Sequence, residues 1–533
     1  MTTTLLVGGQ VYTPTEPFAT AILVAGDTVA WVGTDGAADV HRSAADRIVE
    51  LNGALVTPAF VDAHVHTTST GLTLLGLDLT ATRSLAEALA LVEQHCRQAR
   101  GGVVLGHGWD ETRWPEHRPP TAAELDRASY GGVVYLSRID VHACVVSSAL
   151  LAAVPEARLA PGYDASGWLR QDAHHLVRTA AYEAVTPGQR EEAIRATRAR
   201  AASLGIGSFH ENGGPGINGP DDFQAVLAQA VREPGPQVFG YWGELGGVDR
   251  ARELGARGVA GDLFVDGAIG SRTALMHTVY ADADSVGASY LSQSDITDHV
   301  VACSRAGVQA GFHVIGDAAM TAVVNGLRVA AHRVGPDGVR AGRHRLEHAE
   351  MLTSDQIAVL ADLGVVASVQ PLFDELWGGD HGMYAERLGV QRALTLNPLA
   401  QMAAAGVVLA LGSDAPVTPL GPWAAIRAAA WHHVPESRLS VRAAFNAHTR
   451  GGWRAAGIDD AGVLAPGAAA TFAVWSVEDM TVQTPDSRVA AWSTDPRAGV
   501  PELPALSPET PLPECLGTVV GGVTVFEQQG ALS

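Results

Sequence analysis

The stretch Leu55-Val56-Thr57-Pro58-Ala59-Phe60-Val61-Asp62-Ala63-His64-Val65-His66 reads as an apolar β-strand ending on two histidines. Side chains two apart on a strand share a face, so His64 and His66 enter one cavity. With 20 His in 533 residues, such a triplet arises about once by chance. Its meaning therefore rests on what the other strands carry.

Seven further strand-like runs follow, at 206–210, 237–241, 262–266, 308–314, 343–348, 365–370 and 407–414. Most precede a segment with apolar residues at three-to-four spacing, as at 188–203, 295–306, 318–332, 353–363 and 397–405. Eight strands alternating with helices predict an α/β fold, a (β/α)8 TIM-like barrel over 55–460. Short β-type runs between 5 and 33 share their texture with 463–475 and 517–526. The segments 1–54 and 461–533 are thus expected to build one small β-sandwich. The interval 67–205 is too long for a loop and reads as an insertion after the first strand, placed where barrels cover the mouth of their site.

Residues able to bind a metal recur where barrel enzymes place their chemistry, at the C-terminal ends of strands. His313 ends the fifth run, His348 the sixth and Asp414 the eighth. Imidazoles with a carboxylate suit Zn²⁺, with Fe²⁺ or Mn²⁺ as alternatives, and such an ion makes a nucleophile of water at neutral pH. Asp414 is placed to take the water's proton and pass it to a leaving amine. That is the hydrolysis of an amide-like bond.

Acidic residues outnumber basic ones 57 to 36, a formal charge of −21, which argues against nucleic acid as a partner. No stretch has the form of a signal peptide or a membrane span, so a small-molecule enzyme of the cytoplasm, with no membrane partner, is expected. Cys96, Cys144, Cys303 and Cys515 lie far apart without a C-x-x-C pattern and are expected to be free thiols.

In combination, Val61-Asp62-Ala63-His64-Val65-His66, Phe264-Val265-Asp266-Gly267-Ala268-Ile269-Gly270-Ser271-Arg272-Thr273-Ala274, His313-Val314-Ile315-Gly316-Asp317, Arg345-Leu346-Glu347-His348-Ala349, Ser368-Val369-Gln370-Pro371 and Gly412-Ser413-Asp414-Ala415-Pro416 resemble the YtcJ-like branch of the amidohydrolase superfamily. The resemblance runs nearly end to end. It implies a metal held by His64, His66, His313 and Asp414, with His348 either a ligand or the group that polarises the substrate carbonyl, and it implies a homodimer. Many relatives carry on the fourth strand a lysine that becomes carboxylated and bridges two metals. Here that position is Asp262, and all 36 basic residues are arginine, so no carboxylated lysine can form. One ion per site is the leading expectation, with a carboxylate-bridged pair using Asp262 or Glu211 as the rival. Asp266 and Arg272 are read as substrate contacts or loop braces. In the insertion, Trp109 and His142 are candidate substrate contacts, with Trp114 beside Trp109 as a pocket wall. Two other classes stay open: a metal-dependent lyase or isomerase on the same fold, and a non-catalytic ligand-binding protein.

Overall fold

The computed structural model describes residues 2–98, 102–138, 143–481, 501–528 and 530–532. The chain divides into two compact units, one formed by 1–66 with 198–533 and the other by 67–197.

The larger unit holds an eight-stranded sheet in strict sequential order. We number its strands β1 (Phe60–Val65), β2 (Ile206–Gly213), β3 (Gln237–Trp242), β4 (Gly258–Val259), β5 (Gln309–Val314), β6 (Arg345–His348), β7 (Val366–Val369) and β8 (Val408–Leu411). Every neighbouring pair is parallel. The first and last strands meet through a parallel bridge between Val65 and Ala415. The Asp414 N–H donates to the His64 carbonyl (2.8 Å), and the His66 N–H to the Ala415 carbonyl (2.9 Å). A parallel strand is buried on both faces, and β1 is buried at all six positions. Helices close to those expected follow the strands, including Gln293–Ala306, Asp317–Val334, Ser354–Asp362 and Leu399–Ala405.

Two expected strands differ. The run 55–66 is two elements: Leu55–Pro58 pairs with Phe472–Ser476 in another sheet, and only Phe60–Val65 belongs to the barrel. The fourth strand is the two-residue Gly258–Val259, not 262–266. Gly261 ends it, with φ +86 in the left-handed region that favours glycine. The chain then bends past β5 in irregular extended form, keeping only a bridge from Phe264 to His313.

The termini build two facing sheets. One runs Thr28–Gly33, Ala21–Ala25, Thr3–Val7, Arg47–Glu50; the other runs Gln10–Val11, Leu55–Pro58, Phe472–Ser476, Glu514–Val520, Val523–Glu527. Leu6, Ile22, Val24 and Val49 of the first pack against Val56, Phe472, Val474 and Val519 of the second in one cluster. This is the sandwich expected from both ends of the chain, with its N-terminal part extended by the strand Leu55–Pro58.

The smaller unit has its own five-stranded sheet, ordered Trp168–Arg170, Ala143–Val146, Val134–Arg138, Val104–Trp109, Leu77–Asp78, with helices that include Leu85–Gln98 and Gln171–Glu183. Two apolar clusters serve it, one of them around Trp109, Trp114, Leu125 and Leu136. All four cysteines of the chain are free.

A methyl group at Gly261 would stand 2.6 Å from Asn212 Oδ1. Gly261→Ala is therefore expected to lower stability by about 1–3 kcal/mol through left-handed strain and this clash. Thermal and urea unfolding monitored by circular dichroism measures it.

Candidate metal centre

The C-terminal ends of β1, β5, β6 and β8, with the bend after β4, bring six ionisable side chains together. His64 and His66 end β1 and share a face, as their spacing predicts. Asp262 stands at the centre. Its Oδ1 lies 3.6 Å from His64 Nε2, 3.5 Å from His313 Nδ1 and 3.9 Å from His348 Nε2, and its Oδ2 lies 3.2 Å from His66 Nε2. Asp414 Oδ1 lies 3.3 Å from His64 Nε2 and 3.2 Å from His66 Nε2. Two groups follow, His64–His66–Asp414 and His64–Asp262–His348, each compact enough for one cation.

The second nitrogen of every imidazole is engaged, which fixes tautomer and ring direction. His64 Nδ1 donates to Glu347 Oε2 (2.9 Å), His66 Nδ1 to the Asn212 carbonyl (2.9 Å), His348 Nδ1 to Gln370 Oε1 (2.9 Å) and His313 Nε2 to the Gly267 carbonyl (3.3 Å). The atoms left over all face Asp262. Ligands about 2.1 Å from a tetrahedral zinc ion stand ~3.4 Å from one another, and most of the separations above lie close to that. His64 Nε2, Asp262 Oδ1 and His313 Nδ1 are buried with no hydrogen-bond partner among the described residues. Buried polar atoms are normally satisfied, so three orphans facing one another match a site for a cation.

The backbone stores strain at these positions. His348 has φ 70, Ala349 φ 47 and Asp414 φ 56, left-handed values uncommon outside glycine and concentrated at functional sites. The turn at His348 has a geometric result. Neighbours on a strand face opposite ways, yet the left-handed residue lets both Glu347 and His348 address the interior. Asp62, two before His64, ties the barrel's closing edge: its Oδ1 accepts from the His64 N–H (3.2 Å) and the Ser413 N–H (2.9 Å). Burial outweighs these donors and pushes its carboxyl up to about 6.

Burial opposes a charged imidazole at His64, but Asp262 and Asp414 overcome it and push the ring up to about 10. His66 is likewise raised against burial, by hydrogen bonds to both carboxylates. Burial also opposes ionisation of Asp262, yet the His64 charge and the His313 and His348 imidazoles facing it hold its carboxyl well below the usual range. This concentrated negative field attracts protons and divalent cations alike.

Several expectations are corrected. Glu211 does not reach the cluster. It alternates with His210 and Asn212 on β2 and faces the other side, where Oε1 accepts from Asn218 Nδ2 (2.8 Å). His313 meets the cluster through Asp262, not through the His64–His66–Asp414 group. Of the two readings of Asp266, its contacts fit the loop brace: the carboxylate collects the N–H groups of Leu275 (2.8 Å), Ile315 (3.0 Å) and Gly316 (2.8 Å). Arg272 is also a brace, a fork onto Asp282 (2.9 and 2.6 Å). Trp109 walls no pocket: it is 0 % exposed and its indole N–H donates to the Leu136 carbonyl (2.9 Å). Trp114 is core in the same way, bonded to the Thr82 carbonyl. His142 lies outside the described residues. Sequence reading missed the roles of Asp62, Glu347, Arg345 and Gln370. Spacing could have flagged Asp62, two before His64, and the Arg345-x-Glu347 pair.

The amidohydrolase family model (Amidohydro_3) matches residues 47–526. The chain belongs to the amidohydrolase family. It is 28% identical over 409 residues to the putative amidohydrolase YtcJ of Bacillus subtilis, covering 72% of this chain and 74% of that protein. It is 26% identical over 450 residues to the N-substituted formamide deformylase of Arthrobacter pascens, covering 76% and 80%. An uncharacterized metal-dependent hydrolase from Pyrococcus furiosus superposes with TM-score 0.76 at 25% identity, over 89% of this chain and 98% of that one. The family's enzymes act on small molecules, and the fold this chain shares is the TIM barrel of metal-dependent hydrolases. No helix among the described residues is long and apolar enough to cross a membrane.

Because the His64 imidazole sits at about 10, it carries a proton at pH 7 that an incoming cation has to displace. Zinc binding by metal-stripped protein is expected to release protons and to weaken as pH falls. Calorimetric titration in buffers of different ionisation enthalpy measures the release.

Proposed function

We propose that this amidohydrolase cleaves the carbon–nitrogen bond of a small amide, formamide or cyclic amide with water. The observation that carries the reading is the convergence of four imidazoles and two carboxylates at the barrel's C-terminal end. The likeness to a relative named for deformylating N-substituted formamides supports the bond class.

His64, His66 and Asp414 would hold the cation, with Asp262 beside them. Nitrogen and carboxylate donors in this ratio suit zinc, with iron(II) or manganese(II) as alternatives. The cation supplies Lewis acidity, lowering the pKa of a water and polarising a carbonyl oxygen. Asp414 takes the attacking water's proton on its carboxylate and returns it to the departing nitrogen, which leaves as an amine. His348, its Nδ1–H fixed on Gln370, presents Nε2 to the same space, where it would hold a cation through its lone pair or, as an imidazolium, donate to the substrate carbonyl. Phe264, 4.6 Å from the His313 ring, and Phe373, stacked 5.8 Å from His348, pack against those two rings.

A second reading concerns the number of ions. Four protein donors on one tetrahedral ion leave no open position, and Asp262 faces His66 with Oδ2 while its Oδ1 faces His313 and His348. That favours a pair of cations bridged by Asp262, the second held with His313 and His348. Metal analysis discriminates, at one or two equivalents per chain.

Purified protein with its metal quantified is tested on a panel of N-formyl, N-acyl and cyclic amides, with products read by mass. The expected products are the amine and the acid, or, from a cyclic amide, the one ring-opened product heavier than the substrate by a water. Asp414→Asn is expected to lower kcat by about 10²–10⁴-fold, the range for a lost acid–base group. Products isomeric with the substrate, or short by CO₂, would replace hydrolysis with the isomerase or lyase reading. A protein that holds metal and binds but converts none of the panel would favour the ligand-binding one.

A further inference from the structure

Below the cluster the barrel interior is polar. Arg345, two residues before Glu347 on β6, points into the barrel and is 0 % exposed. Its Nε and NH2 donate to Glu347 Oε1 (2.6 Å) and Oε2 (2.9 Å), the bidentate fork that carboxylates favour. NH2 also donates to the Ala63 carbonyl on β1 (2.8 Å), and NH1 to His210 Nδ1 on β2 (3.0 Å). The guanidinium lies 4.3 Å from the centre of the Tyr241 ring on β3. Five contacts from four strands fix one side chain.

All of this bears on one metal-facing ring. Glu347 Oε2 accepts from His64 Nδ1, and a carboxylate on the far nitrogen raises the basicity of a ligating imidazole and fixes its direction. Glu347 would be costly to bury as a charge without Arg345. His210 accepts from Arg345 through Nδ1 and is therefore neutral, so it does not compete for Glu347. Burial, then the Arg345 charge, holds it far below the usual histidine range.

We infer that the Arg345–Glu347 pair is a positioning device, in which Arg345 orients the carboxylate that holds His64 toward the cation. The inference rests on the reading that the centre holds a divalent cation. Neither residue touches the cation or the substrate, so both act through His64.

The test measures metal affinity on the metal-stripped full chain, by zinc competition against a chromophoric chelator. The visible spectrum of the cobalt-loaded protein is a second readout. Glu347→Gln keeps the size and a hydrogen-bonding oxygen but removes the charge; zinc affinity is expected to fall about 10- to 100-fold and the cobalt bands to shift. Because that variant leaves Arg345 buried and unpaired, Arg345→Met/Glu347→Gln removes both charges and is expected to fold, with a similar loss of affinity. Affinity within about twofold of wild type in a folded variant, with unmoved cobalt bands, would overturn the inference and leave the proposed hydrolysis standing. Loss of native circular dichroism in both variants would also overturn it, by making the pair a requirement of folding. Failure of the wild-type chain to take up zinc or cobalt would remove this inference and the proposed function together.

Discussion

Asp262 and Asp414 are buried carboxylates facing four imidazoles, and the tolerance of that charge sets the terms for the rest of the barrel. A carboxylate taken out of water costs several kcal/mol unless cations or donors replace the lost solvation. Here nearly every replacement is an imidazole nitrogen aimed at the same point. To aim them, the chain accepts left-handed backbone at His348, Ala349 and Asp414. It also devotes a second layer, Glu347, Gln370, the Asn212 carbonyl and the Gly267 carbonyl, to the far nitrogens. Asp62 belongs to the same arrangement, because by gripping the N–H groups of both His64 and Ser413 it keeps the first and last strands in register where Asp414 must meet His64 and His66.

Much of this was legible in the sequence because strand periodicity and strand ends are local properties. His64 and His66 follow from a period of two, and His313, His348 and Asp414 from their position at the close of apolar runs. The sandwich was legible from the β-type texture at both ends of the chain. What failed depended on conformations that residue type leaves open. Gly261 cuts the fourth strand to two residues, so Asp262 lies on a bend and reaches all four histidines, instead of projecting from a strand as one carboxylate among several. Glu211 and Asn212 are neighbours, and only the direction of β2 decides which of them faces inward.

The same limit applies to residues that can either bind a ligand or complete the fold. Asp266 and Arg272 have the chemistry to hold a substrate, but backbone N–H groups and Asp282 claim them. Trp109 sits in a loop-rich segment with a pocket-forming composition, yet its ring fills the core of a second sheet that the sequence barely announced. In each case the competing partner comes from nine or more residues away, and pairing of that kind is a tertiary fact.

The fourth strand's short form brings a carboxylate into the cluster in a chain that has no lysine. With no carboxylated lysine available, the shared carboxylate comes from an aspartate, whose reach is one methylene beyond its Cα. The backbone must therefore approach the cluster, and the early stop at Val259 with the left-handed turn at Gly261 allows it to do so. Small barrels usually fill their interior with branched apolar residues. Here the layer under the cluster is Ser208, His210, Tyr241, Arg345, Glu347 and Ser368, all fully buried. On stability grounds a buried ion pair does no better than apolar residues of the same volume, and often worse. Folding alone therefore gives no reason for Arg345 and Glu347 to occupy the centre of the barrel; the hydrogen bond from His64 to Glu347 does.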